Sequence, residues 1–222
     1  MKMLRLFAAS LLLCFAATAS ASPSEPKSGV EYLTLAQALP TDTGGKVEVI
    51  EFFAYYCPHC NAFEPLLQEW VKRQGANIVF KRVHVPYNSS VLPQQRLFYT
   101  LEAMGLLEKY HQQVFDAMHQ QRLRLGSDEE VFDWAARNGI DRARFADVYR
   151  SFGVTAHVRR AGTMMSDYHI QFWPNLVIDG KYQTSPSQAN EGNPARLSET
   201  EQQKNALKVM DFLVAKAKAE KK

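Results

Sequence analysis

Cys57-Pro58-His59-Cys60 sets two thiols at C-x-x-C spacing. The apolar run Val47–Phe53 lies just before them, and Asn61–Gln74 can continue as a helix after them. A cysteine placed where a strand hands over to a helix N-terminus has its anion favoured by the helix dipole. Two thiols at this spacing can also bond to each other, which describes a dithiol–disulfide redox centre. His59, between the cysteines, can give the first of them a hydrogen-bond donor or a positive charge. Pro58 and His59 complete the C-P-H-C motif and are counted with the two cysteines as catalytic residues. A structural zinc site would need about four protein ligands, or three and a water. No second C-x-x-C or H-x-x-x-H cluster exists and the six histidines are scattered, so no metal is expected. An inert disulfide staple is the weaker alternative, because so small a loop restrains the unfolded chain little.

The remaining cysteine, Cys14, lies in Met1–Ala21, which has a basic start (Lys2, Arg5), an apolar stretch and the small-x-small ending Ala19-Ser20-Ala21. This reads as a signal peptide, residues 1–21, removed after Ala21. The apolar run is shorter than the roughly 18 residues a membrane span needs. Bulky Leu13 argues against lipid attachment at Cys14. Cleavage would leave Cys57 and Cys60 as the only thiols, and export would put them where disulfides persist.

The 222 residues allow one large domain, or one domain with an insertion. Hydrophobic content of 46% is ordinary for a globular chain. The formal charge is +3, two charges of it from Lys2 and Arg5, and it gives no case for nucleic acid. Ser22–Gly29 reads as a loose leader, and Lys216–Lys222 as a frayed, solvated helix end.

The elements that must position the thiols follow from periodicity and punctuation. Glu31–Leu35 alternates as a short edge strand, and Lys46–Phe53 reads as a central strand. The helix after Cys57 carries Pro65, which should kink it. Ile78–Val85 is a further strand, closed by Pro86. A block of helices follows: Pro93 to Met104, stopped by Gly105; Leu107–Gln121; Val131–Asn138 behind a Ser127/Glu130 capping box; Asp141–Phe152, stopped by Gly153; and Val154–Ser166. The pairs Leu97/Phe98, Phe132/Trp134 and Phe145/Tyr149 are core residues. Leu176–Ile178 and Lys181–Gln183 form a hairpin across Asp179-Gly180. Ser198 and Glu201 cap a last helix with Ala206, Met210, Leu213 and Ala217 on one face.

C-x-x-C after a buried strand, Pro65 five residues beyond Cys60, and Trp173-Pro174 ahead of a hairpin together resemble a thioredoxin fold. The run E-F-F-A-Y-Y-C-P-H-C, the helical block and the export signal narrow this. The chain resembles the DsbA family of periplasmic thiol:disulfide interchange proteins over essentially its whole mature length. The resemblance implies an α/β thioredoxin fold, residues 22–87 and 169–222, with an inserted helical domain at residues 88–168. It implies that Cys57 is the exposed nucleophile, Cys60 the buried resolving thiol and Pro174 a cis-proline facing the disulfide. Glu51 matches a buried carboxylate that could relay a proton, with Arg82 or Lys81 as its basic companion. Tyr55, Tyr56 and Trp173 are expected to rim the substrate groove. The family more often has a small or β-branched residue at the Trp173 position, which leaves substrate range open.

The implied function is a monomeric dithiol oxidase. It would take electrons from reduced, unfolded exported proteins and pass them to a quinone-linked inner-membrane partner, DsbB, with no cofactor besides the Cys57–Cys60 disulfide. A disulfide isomerase or reductant, or a groove-binding chaperone, are the rival readings.

Overall fold

The computed structural model describes residues 25–221; the expected signal peptide, residues 1–21, and Cys14 fall outside them. Five strands form one mixed sheet in the order β1-β5-β4-β2-β3. These are β1 (Leu33–Thr34), β2 (Val47–Phe53), β3 (Ile78–His84), β4 (Asn175–Ile178) and β5 (Tyr182–Thr184). β2 is an interior strand, flanked by β4 and β3, and every one of its seven residues is buried, Glu48 and Glu51 included. It runs parallel to β3, with Glu51 opposite Arg82, and antiparallel to β4, with Phe52 opposite Asn175. A parallel pair needs a crossover. Helix α1 (Pro58–Gln74) supplies it, starting just beyond the end of β2.

Two apolar layers sandwich the sheet. One face carries Val47, Val49, Leu176 and Ile178 against Phe63, Leu67 and Trp70 of α1 and against Ala206, Met210 and Leu213 of α7 (Glu199–Glu220). Five helices between β3 and β4 cover the other face: α2 (Leu92–Ala103), α3 (Leu107–His119), α4 (Asp128–Arg137), α5 (Arg142–Tyr149) and α6 (Phe152–Asp167). Ile50, Phe52 and Phe53 of β2 share that core with Leu97, Phe98, Phe132, Trp134, Phe145 and Tyr149. The architecture is the α/β thioredoxin fold with an all-helical insertion.

Several local expectations change. Gly153 does not stop α5. That helix ends at Tyr149, and Ser151 caps α6 by accepting from Val154 N at 3.2 Å, so Gly153 lies in the first turn of α6. At Ser127 the capping box is half formed: Ser127 Oγ accepts from Glu130 N, whereas the Glu130 carboxylate takes Gly126 N at 2.7 Å. As far as Lys221, the last described residue, the basic end is not frayed. α7 runs to Glu220, and Lys221 Nζ lies 2.8 Å from Asp179 and donates to Lys46 O, tying the helix to the end of the sheet. The end of the leader is held in place, with Lys27 N donating to Glu31 Oε2 at 2.8 Å and Ser28 Oγ bonded to Thr34 Oγ1 at 2.7 Å, and the chain just beyond it is tied to the sheet side by Thr184 Oγ1 donating to Glu31 O.

Gly180 is fixed by its surroundings. It sits at φ +64° in the β4–β5 turn, and a Cβ there would lie 2.2 Å from Leu39 O. Only glycine fits both demands.

Candidate active site

Cys57 is the N-cap of α1. Its extended backbone (φ −80°, ψ 117°) ends the strand exit, and its Sγ accepts a hydrogen bond from Cys60 N at 3.3 Å. Pro58 at the first helical position removes an amide the helix would leave unused. The amides of His59 and Cys60 are therefore the first to face the sulfur. Neither cysteine is disulfide-bonded in this structure, and Cys57 is not the exposed sulfur the resemblance implies: it is only 5% exposed, with Trp173 O set against it.

The environment treats the two thiols oppositely. Cys57 is lowered from 9.0 to about 7. The hydrogen bond from the Cys60 thiol is the largest cause; burial opposes it, and the Cys60 and His59 amides and the His59 charge add to it. Cys60 is wholly buried, and burial pushes it well above the ordinary thiol value, with the neighbouring Cys57 adding to the rise. One sulfur is thus built to be an anion near neutral pH and the other to keep its proton.

The Trp173–Pro174 peptide is cis and faces this pair, with Trp173 O 3.7 Å from Cys57 Sγ. Trp173 stands edge-on to Tyr56, ring centroids 6.2 Å apart, and 6.0 Å from Tyr87. Tyr87, in the segment after β3, is 66% exposed. These three rings form an aromatic rim beside Cys57.

Tyr55 is not part of that rim. It is completely buried and packs edge-on against Phe53 and Phe115. Its hydroxyl meets His111 Nδ1 at 2.9 Å, its amide donates to His84 Nε2 at 3.1 Å, and its carbonyl lies 2.7 Å from His119 Nε2. Tyr55 and Tyr56 are the two central residues of a turn closed by Cys57 N donating to Ala54 O at 3.1 Å, and only Tyr56 reaches the mouth. Three of the six histidines that look scattered in sequence, His84, His111 and His119, converge here. Burial lowers His84 to about 3, so its ring is neutral, with Nε2 accepting and Nδ1–H donating to Val85 O.

Beneath Cys60 lies a buried charge cluster. Arg82 Nε donates to Glu51 Oε2 at 3.0 Å and Arg82 Nη2 to Glu64 Oε1 at 2.8 Å. Arg82 is therefore the companion of Glu51. Lys81 faces the other way, to Glu48 at 2.6 Å and to Asp42. One guanidinium cannot neutralise two carboxylates. Burial pushes Glu51 up to about 8 despite Arg82, whereas Arg82 and His111 outweigh burial at Glu64 and hold it below the usual carboxylate range. Near neutrality Glu51 holds a proton and Glu64 does not.

A family model for the DSBA-like thioredoxin domain matches residues 67–198, more than half of the chain. The chain belongs to the DsbA family. Curated DsbA relatives include the thiol:disulfide interchange protein DsbA of Burkholderia cepacia, 42% identical over 176 residues (79% of this chain, 83% of that one). That of Bordetella parapertussis is 39% identical over 215 residues, 96% of each chain. The crystal structure of Pseudomonas aeruginosa DsbA superposes with a TM-score of 0.78 at 31% identity, covering 86% of this chain and 94% of that one. As a DsbA-family member the chain is a thiol:disulfide oxidoreductase. The family match begins at Leu67, after the cysteines, so it rests largely on the helical insertion rather than on the C-P-H-C motif.

Glu64 was not singled out from sequence, although its position is a signal. Cys60, Glu64 and Leu67 lie on one buried stripe of α1, and an acid in an apolar stripe at helical spacing requires a buried partner.

Proposed function

We propose that this chain donates its Cys57–Cys60 disulfide to reduced, newly exported proteins in the periplasm. The observation that carries the reading is the opposed treatment of the two sulfurs, one lowered to about 7 and the other raised by burial. A stabilised thiolate stabilises the dithiol form, so the disulfide is readily given away.

The cycle begins when a substrate thiolate attacks Cys57 Sγ. The Cys57–Cys60 bond breaks, the electron pair goes to the Cys60 sulfur, and a mixed disulfide joins Cys57 to the substrate. Cys60 cannot hold a charge where it lies, so it takes a proton, and Glu51 is the group that carries one there near neutral pH. A second substrate thiolate then attacks the substrate sulfur of the mixed disulfide, and Cys57 leaves as its stabilised thiolate. The substrate loses two electrons and gains a disulfide; the enzyme holds the two electrons as a dithiol. A quinone-linked membrane partner of the DsbB type removes them. The chain works as a monomer with no cofactor beyond its own disulfide, and Pro174 and Trp173 O line the groove that presents the substrate backbone to Cys57.

The test is the reduction potential of the Cys57–Cys60 pair against glutathione, with oxidation of a reduced, unfolded exported protein alongside. The expected value lies well above thioredoxin's, at about −270 mV. A thioredoxin-like value overturns the oxidase reading. Cys60→Ala, first loaded at Cys57 as a mixed disulfide with glutathione, should exchange glutathione for a substrate thiol and hold the substrate at Cys57; no substrate held there would overturn the mechanism.

A further inference from the structure

Two helix N-termini meet beside Cys57. α1 starts at Pro58 and α7 at Glu199, and the two helices pack side by side through Phe63, Leu67, Ala206 and Met210. Each N-terminus carries about half a positive charge, so their approach favours an anion between them. α7 offers two carboxylates in its first turn. Glu201 is engaged within its own helix, accepting from Ser198 N at 2.8 Å and from Ser198 Oγ at 2.6 Å. Glu199 instead crosses to α1, where its Oε1 lies 2.7 Å from His59 Nδ1. Buried Gln203, one turn along α7, braces the contact. Its Nε2 donates to Glu199 Oε1 at 3.3 Å and to His59 O at 3.5 Å.

We propose that Glu199 is a positioning residue for the exchange reaction, anchoring His59 to α7 so that a positive charge stays beside the Cys57 sulfur. The proposal deepens the oxidase reading and rests on it. Glu199 raises His59 above its ordinary value, chiefly through the hydrogen bond, and Cys57 is the other charged group that acts on the ring. His59 in turn is among the causes that lower Cys57, and its charge outranks any direct effect of Glu199 on that sulfur. Loss of Glu199 therefore weakens the thiolate through the histidine. Both side chains are half exposed or more, 69% for His59 and 49% for Glu199, so the effect is modest. An exposed pair of this kind corresponds to roughly a twofold change in the thiolate-to-thiol ratio.

The experiment titrates the Cys57 thiolate of the reduced full chain by its ultraviolet absorbance in wild type, Glu199→Gln, His59→Ala and the double variant. Glu199→Gln should lower the thiolate-to-thiol ratio about twofold near neutral pH. The difference should fade below the ordinary imidazole range, where the ring is charged in either protein. In the His59→Ala background Glu199→Gln should change nothing further. An unchanged titration overturns the proposal, as does an equal shift in both backgrounds; a change in urea stability with the titration intact would make Glu199 a helix-end residue only. If the wild-type pair proves reducing while Glu199→Gln still moves the titration, the oxidase reading fails and the anchoring of His59 stands.

Discussion

Raising the pH from about 6 to about 9 should stabilise the reduced protein relative to the oxidised one, because only the reduced form has a Cys57 thiol to ionise. The folded-state value is about 7, against 9.0 for an ordinary thiol. A lowered acid contributes stability that is complete above its unfolded value and is lost as pH falls through its folded value. The gain therefore accrues between about pH 7 and 9. Two units correspond to about 2.7 kcal/mol at full depth. Cys57 is only 5% exposed, yet effective screening inside a protein stays strong, so somewhat more than half of that, roughly 1.5 kcal/mol, is the expected difference. Above pH 9 Cys60 acts with the opposite sign, since it ionises in the unfolded chain and stays protonated in the folded one. Glu51, raised to about 8, makes both forms less stable as pH rises from its ordinary range, and the comparison between forms largely cancels it. The assay is thermal or urea unfolding of both forms across this range. For a chain of this length 1.5 kcal/mol is about 3–6 °C in the gap between their midpoints. The same asymmetry appears in the reduction potential. Below pH 7 two protons accompany two electrons, and above it one does, so the slope should fall from about 59 to about 30 mV per pH unit. A gap that stays flat from pH 6 to 9, with a constant potential slope, would refute the assignment of Cys57 as the depressed thiol.

Arg82→Met should cost about 3–5 kcal/mol in urea unfolding at neutral pH, because ionised Glu64 is left buried without its guanidinium; a loss under 1 kcal/mol would show that the carboxylates find other partners. Tyr55→Phe should cost about 1–2 kcal/mol through the lost hydroxyl–His111 contact and leave thiol exchange unchanged; slower exchange with protein substrates would return Tyr55 to the substrate face. Trp173→Ala removes the indole that Tyr56 and Tyr87 pack against, at about 0.5–1.5 kcal/mol per aromatic pair. kcat/KM toward an unfolded reduced protein should fall several-fold while exchange with a small dithiol holds, and equal loss with both would place Trp173 in the chemistry rather than in substrate contact.

Local signals made the redox centre legible. C-x-x-C spacing, a strand before it and a helix after it place Cys57 at a helix cap, and the Ser198/Glu201 box and the Asp179-Gly180 turn are equally local. Contacts between residues far apart in sequence were not legible. Tyr55 and Tyr56 are adjacent and chemically alike, and only the path of the chain past α3 decides which one is buried. Periodicity does not choose between Lys81 and Arg82, because the two are adjacent and the register of β3 against β2 is written in neither strand; the parallel register puts Arg82 opposite Glu51 and Lys81 opposite Ile50. Gly153 has the form of a helix stop in sequence, yet Ser151 already caps the next helix and leaves the glycine inside its first turn. The Glu199–His59 contact spans 140 residues and leaves no trace in either local pattern.

The histidine grip on Tyr55 makes the helical insertion and the redox centre one cooperative unit. His111 and His119 of α3 hold the residue two positions before Cys57, and His84 at the end of β3 holds its amide. A local opening that carried α3 away would release the segment that aims the sulfur at Trp173 O. The insertion therefore cannot breathe on its own while the thiol stays poised. In native-state hydrogen exchange the α3 amides and the Tyr55 amide should open with one shared free energy.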